Sequence, residues 1–149
     1  MFKNILVPID LNPKAYKASM YALDIAHMYD SKLFLLNVSE NLRSKESLVM
    51  SRVSVADLEK SFKNYALDTK NAMRDILNDD LYDNVDIEYY IREGNTTDEI
   101  LDFTEKYSID LIVMGTNGKD SMADYILGST SSNIVSKSHV PVLSVPIIG

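Results

Sequence analysis

The sequence predicts an α/β protein, an open five-stranded, all-parallel sheet with helices on both faces. Short β-branched apolar runs alternate along the chain with longer stretches of helical period, the signature of successive βαβ units. The runs Ile5-Leu6-Val7-Pro8-Ile9 and Leu111-Ile112-Val113-Met114 are apolar without alternation, as strands covered on both faces must be. Three of the five glycines, Gly115, Gly118 and Gly128, directly follow the second run, where a strand hands over to a helix.

Strand one is expected over about Lys3 to Ile9. Asn12 then caps a helix with Pro13 at its first position, where the missing N–H costs nothing, and Ala15, Ala18, Ala22, Ala26 and Tyr29 form its inner face. Strand two covers about Lys32 to Val38. The stretch from Ser39 to Arg52 is polar and too long for a simple connector, so it reads as a mobile loop. Helix two runs from near Val53 to Asn78, with Phe62, Tyr65, Ala66, Thr69, Met73, Ile76 and Leu77 as its buried stripe.

Strand three alternates, with Val85, Ile87, Tyr89 and Ile91 on one face and Asp86, Glu88, Tyr90 and Arg92 on the other. That pattern predicts one wet face and a place near the sheet margin. Thr96-Thr97-Asp98-Glu99 has the spacing of a capping box and opens helix three, which runs to about Tyr107. Strand four spans Asp110 to Met114, and helix four follows Gly128 with Ile134 and Val135 facing inward. Val142-Leu143-Ser144-Val145, between Pro141 and Pro146, forms strand five.

With 149 residues the chain suits one domain, 1–149, large enough to bury roughly two-thirds of its unfolded surface. Hydrophobic residues at 46% and charged residues at 25% fit a chain that packs a core. A formal net charge of −7, with no concentrated basic block, repels a phosphate backbone and argues against nucleic-acid partners. The absence of cysteine excludes thiol catalysis, disulfides and cysteine-ligated metals. His27 and His139 are read as structural. The first apolar run is too short for a signal peptide, and no stretch reaches the roughly 20 apolar residues of a membrane span; a cytoplasmic location without membrane association is expected.

In an open parallel sheet, ligands bind beyond the carboxyl ends of the strands, where the strand order reverses. With strands in the order 3-2-1-4-5, that crevice lies between strand one, ending in Pro8-Ile9-Asp10, and strand four, ending in Met114-Gly115-Thr116. Asp10 is placed for a ribose hydroxyl or a metal-bound water, and the glycine loop for phosphate. Glycine lets an anion approach the main chain, and a helix N-terminus offers unpaired N–H groups and a positive dipole end. The end of strand two, Asn37-Val38-Ser39, offers main-chain groups to a base edge, and Lys119 adds a charge beside Gly118.

Competing motifs are missing. No Gly-x-Gly-x-x-Gly follows strand one, since the first glycine is Gly94, and no Gly-x-x-x-x-Gly-Lys-[Ser/Thr] loop exists. Ser129 lacks the nucleophile-elbow context and reads as a phosphate-binding cap. Asp79, Asp80 and Asp83 read as a solvated group at a helix end, and no pair of carboxylates is arranged for acid–base work.

The pattern Gly115-x2-Gly118-x9-Gly128-Ser129, with Ile5-Leu6-Val7-Pro8-Ile9-Asp10, Asn37-Val38, Gly94 and Pro141-Val142-Leu143, resembles the universal stress protein family in its ATP-binding branch, across the whole chain. The resemblance implies a Rossmann-like, adenine nucleotide alpha hydrolase-like fold and commonly a homodimer. It implies that Asp10 lies by the ribose and phosphates and that Val38 meets adenine through its main chain. Gly115, Gly118, Gly128, Ser129 and Thr130 would hold ribose and phosphates. The chain departs from the family pattern at Asn117, where histidine or arginine is frequent, and at Leu11-Asn12.

The expected function is ATP-binding regulation in a stress response, with Arg43, Lys45 and Arg52 of the polar loop closing over phosphates. The alternatives are a slow ATP hydrolase, using Mg or Mn held by the phosphates and Asp10, and an interaction module that binds no nucleotide. Strand five, Val142 to Val145, leaves main-chain groups open at a sheet edge, which favours an antiparallel twofold pairing with a second copy.

Overall fold

The computed structural model describes residues 1–10, 16–39, 55–77, 81–116 and 129–146. Five strands, β1 (Asn4–Pro8), β2 (Lys32–Ser39), β3 (Ile87–Glu93), β4 (Leu111–Thr116) and β5 (Val142–Pro146), alternate with helices α1 (Tyr16–Tyr29), α2 (Val55–Leu77), α3 (Thr96–Lys106) and α4 (Ser129–Lys137). The strands form one parallel sheet in the order β3-β2-β1-β4-β5. The chain first winds outward from β1 to β3, then returns past β1 to lay down β4 and β5. This reversal puts α1 and α2 on one face and α3 and α4 on the other.

Side-chain alternation along each strand divides the core accordingly. Ile5, Val7, Leu33, Leu35, Leu111 and Val113 pack beneath Ala18, Ala22, Leu23 and Ala26 of α1 and Phe62, Tyr65 and Ala66 of α2. Leu6, Phe34, Leu36, Ile112 and Met114 meet Ile100 and Phe103 of α3 and Ile134 of α4 on the opposite side. The small alanine face of α1 lets that helix lie close over the central strands, while α2 supplies the large ring of Phe62. Ala15, Asn12 and Pro13 lie outside the described residues, as do the Ser39–Arg52 loop beyond Ser39 and the side chains of Met73, Ile76 and Leu77.

Several local expectations are corrected. Tyr29 closes α1 at 43% exposure rather than joining the buried face, its ring edge-on to Phe2 at 5.4 Å. Val135 points outward and Ser131 takes the inward place beside Ile134, because two adjacent apolar residues on a helix cannot share one face. The cap of α3 is Asn95, whose side chain accepts from the Asp98 N–H at 3.0 Å, one residue before the expected start. β4 runs on through Gly115 and Thr116, which pair with Val145 and Pro146, so the first glycine of the motif is strand rather than loop. A 3-10 turn, Leu81–Asn84, precedes β3 and buries Tyr82, whose hydroxyl donates to Asp24 at 2.9 Å.

The second face of β3 is also covered. Tyr90 packs against Phe103 and Tyr107 of the α3 region, with ring centroids 5.1 and 5.0 Å away. The Arg92 guanidinium lies 5.7 to 5.9 Å from the Tyr90, Phe103 and Tyr107 rings and donates to the Tyr107 hydroxyl at 3.0 Å. A long cation over aromatic faces keeps its charge near water while its stem and plane shield apolar surface; alternation in sequence therefore overstated how wet this face is.

α1 and α3 both end in a left-handed residue that is not glycine, Asp30 at φ 54° and Ser108 at φ 52°. Each is followed by the return bond that satisfies the last carbonyls, Ser31 N–H to Ala26 O at 2.8 Å and Ile109 N–H to Thr104 O at 3.0 Å. Among the described residues no helix is long and apolar enough to cross a membrane.

Candidate functional site

The reversal of strand order falls between β1 and β4, and the main chain interrupts the sheet there. Ile9 donates its N–H to Leu36 of β2 at 2.8 Å, so the alternation of main-chain groups turns the nitrogen of residue 8 toward β4. Residue 8 is proline and has no hydrogen to offer. β1 and β4 are registered at Ile5↔Leu111 and Leu6↔Ile112, whereas β1 and β2 remain paired through Pro8↔Leu36. The ladder between the two central strands therefore ends short of their carboxyl termini.

Around that break stand the ends of three strands and the start of one helix. Pro8 closes β1 and is followed by buried Ile9 and exposed Asp10. On β2 the Asn37 carboxamide donates to the Ile9 carbonyl at 2.9 Å, tying the two strand ends together through a side chain where the sequence suggests only main-chain groups. Val38 follows, registered opposite Arg92 of β3, and Gly94 donates its N–H to Ser39 O at 3.1 Å. On β4, Met114 is buried in the sheet, while Gly115 and Thr116 are half-buried.

The start of α4 is locked to the end of β4. Ser131 donates its hydroxyl to the Gly115 carbonyl at 3.3 Å and is 4% exposed, while Thr116 donates to Val145 O at 3.4 Å. Ser129 and Thr130 form the first turn of that helix, Ser129 exposed and Thr130 half-buried. The first-turn N–H groups and positive dipole end of α4 thus sit at the sheet's carboxyl edge. The structure brings Pro8, Ile9, Asp10, Met114, Gly115, Thr116, Ser129 and Thr130 to one end of the fold, with Val38 one strand away. Gly118, Lys119 and Gly128 lie outside the described residues.

Tyr65, which the sequence puts on the apolar stripe of α2, makes a polar contact with α1 instead. Tyr65 is buried with its hydroxyl 3.0 Å from the Ser19 hydroxyl. The Tyr65 phenol is pushed up to about 12, chiefly by burial, with the Ser19 hydrogen bond opposing the rise and the Asp10 charge adding to it. A hydroxyl on a helical apolar stripe is the signal that would have marked this position.

Neither histidine enters the site. His27 sits at the end of α1 with its ring 5.1 Å from Tyr82, and His139 is exposed in the turn before β5. Asp83 forms an ion pair with Arg74, and Asp79 and Asp80 lie outside the described residues.

Comparison with known proteins agrees with this architecture. A model of the universal stress protein family matches residues 1–146. Universal stress protein MJ0577 of Methanocaldococcus jannaschii is 27% identical over 155 aligned positions, covering 97% of this chain and 95% of the relative. The crystal structure of a universal stress protein in complex with cAMP superposes with a TM-score of 0.67 at 20% identity, covering 99% of this chain and 98% of that one. A universal stress protein from Archaeoglobus fulgidus in complex with dAMP gives 0.62 at 16% identity, covering 96% and 97%; both show the shared fold. The chain belongs to the universal stress protein family.

Proposed function

We propose that this protein binds ATP at the break between β1 and β4, within one nucleotide-binding domain spanning residues 1–149, and acts as a homodimeric, cytoplasmic regulator rather than as an enzyme of ordinary turnover. The observation that carries the reading is the convergence of Asp10, Gly115 and the α4 N-terminus on the point where the β1–β4 ladder stops. Neighbours of the same fold hold cAMP and dAMP, which supports an adenine nucleotide as the ligand. Asp10 takes the ribose, Val38 the adenine edge through its main chain, and Gly115, Gly118, Gly128, Ser129 and Thr130 the phosphates, with Lys119 adding charge. Mg or Mn would arrive on the phosphates.

The dimer would form through β5, Val142, Leu143, Ser144 and Val145. Among the described residues this strand pairs with β4 alone, and two copies of such an edge can pair about a twofold axis. Sedimentation at micromolar concentration tests it, a monomer removing the proposal.

The ligand is tested by thermal denaturation with ATP, ADP, AMP, NAD and GTP, for the natural chain and Gly118→Val. A specific ligand at about 100 times its dissociation constant adds roughly 2.7 kcal/mol of stability. The expected result is a shift with adenine nucleotides that the valine abolishes; no shift with any adenylate overturns the reading.

A further inference from the structure

β3 closes the sheet at the margin opposite β5, and among the described residues it pairs with β2 alone. Its ladder to β2 fixes which main-chain groups are already used. Asp86 O accepts from the Leu33 N–H at 2.8 Å and the Gly94 N–H donates to Ser39 O at 3.1 Å, so the even-numbered residues turn their N–H and C=O groups toward β2. The groups of Ile87, Tyr89, Ile91 and Glu93 therefore face away from the sheet, where a further strand pairs.

Free edges are ordinarily blunted by charge, and β3 carries Glu88 and Arg92. Their signs are opposite, and they flank Tyr90, the middle residue of Ile87–Glu93, symmetrically. Only one antiparallel register pairs all 7 residues of the strand with those of a second copy, and it puts Tyr90 on the twofold axis. In that register Arg92 lies opposite Glu88 of the second copy, and Glu88 opposite its Arg92. These even positions form the pairs without mutual main-chain bonds, where Cα atoms approach to about 4.5 Å and side chains lie closest. Charge thus selects the register instead of blocking it.

The side chains suit that pairing. The Arg92 guanidinium lies against the Tyr90, Phe103 and Tyr107 rings and donates to the Tyr107 hydroxyl. Among the described residues it forms no ion pair. Glu88 holds Lys32 and the Tyr90 hydroxyl, and its side chain is still 36% exposed. On the other face the register sets Tyr89 against Ile91 of the second copy, an aromatic against a β-branched side chain, both half-buried in the single chain.

We propose that β3 is a self-association edge, through which two copies join antiparallel about a twofold axis at Tyr90, selected by the two Arg92–Glu88 pairs. The contact is independent of nucleotide binding and distinct from the β5 pairing. With both edges in use, copies link alternately through β3 and β5 into one continuous sheet. With β5 blocked, association stops at a dimer.

The test uses the full chain carrying Ser144→Pro. In the ladder that joins Ile112 N–H to Pro141 O, Ser144 turns its N–H outward, so proline there blunts β5 and leaves its bonds to β4 intact. Sedimentation at about 100 μM, a concentration suited to a small interface, is expected to show a dimer. Arg92→Glu and Glu88→Arg each set like charges opposite one another and are expected to weaken association at least about tenfold. Mixed in equal amounts they restore both pairs, and a one-to-one heterodimer is expected. A monomeric parent, single variants that associate as well as the parent, or folded variants that stay apart on mixing overturn the proposal.

A second measurement needs no substitution in β3. Hydrogen exchange at the Tyr89 and Ile91 amides is expected to slow as protein concentration rises, and exchange independent of concentration overturns the proposal. In the natural chain the Ser144 amide reports β5 pairing in the same way, so the two edges succeed or fail separately.

Discussion

Asn37 and Ile9 are joined by a 2.9 Å hydrogen bond from a side-chain amide to a main-chain carbonyl, and this contact fixes the relative height of β1 and β2 at the carboxyl end of the sheet. Asn37→Ala leaves the Ile9 carbonyl without that donor. A stability loss of about 1 kcal/mol is expected, measured by urea denaturation, together with weaker adenylate binding. A loss of stability with unchanged adenylate affinity would show that the tie supports the sheet alone.

Gly94 has φ of 147°, and a Cβ placed there would come within 2.6 Å of Glu99 Oε1. The glutamate is flexible and can swing away, so backbone strain dominates. Gly94→Ala is expected to destabilise the fold by about 1–3 kcal/mol, and adding Glu99→Ala should recover little. Substantial rescue in the double variant would assign the cost to the side chain instead.

Ser108 offers the opposite opportunity. It occupies the left-handed position after α3 at φ 52°, where a Cβ is disfavoured, and Ser108→Gly removes that strain. The variant is expected to be more stable by about 0.5–1 kcal/mol, provided the Schellman bond from Ile109 to Thr104 persists. An unchanged or lower denaturation midpoint would refute this.

Glu88 lies between Lys32, with which it forms an ion pair, and the Tyr90 hydroxyl, which donates to it at 2.7 Å. The Lys32 hydrogen bond, followed by that from Tyr90, lowers the Glu88 carboxyl below its ordinary range. A lowered folded-state value means that the contribution is complete above the ordinary carboxylate range and is lost as pH falls through the lowered value. Glu88→Gln should therefore lower stability slightly near neutral pH and leave it nearly unchanged in acid, which flattens the acid limb in urea denaturation followed across pH; an unaltered profile would refute this. The same hydrogen bond to Glu88 pushes Tyr90 up to about 12.

The sheet was legible because its inner strands are covered on both faces and so appear as unbroken apolar runs; βαβ winding allows more than one strand order, and the order 3-2-1-4-5 expected for this chain is the one the structure has. The finer points depended on tertiary contacts. Ile134 and Val135 look alike in sequence, and only packing on β4 and β5 selects Ile134. Arg92 and Tyr90 read as solvent-facing until α3 brings Phe103 and Tyr107 over them. At the candidate site, Asp10 and the glycines were visible from residue type and spacing. The Asn37 tie and the Ser19–Tyr65 pair were not, because each joins residues 28 and 46 positions apart and no local pattern announces such a meeting.

Pro8 carries a consequence for energetics beyond its place in the sheet. An interruption caused by a missing amide hydrogen exists in every folded molecule before any guest arrives. A guest entering there separates no paired strands, so none of its interaction energy is diverted to prying the protein open. Restoring a donor at that position, as in Pro8→Ala, would let the two central strands zip further and close the break that the proline keeps open.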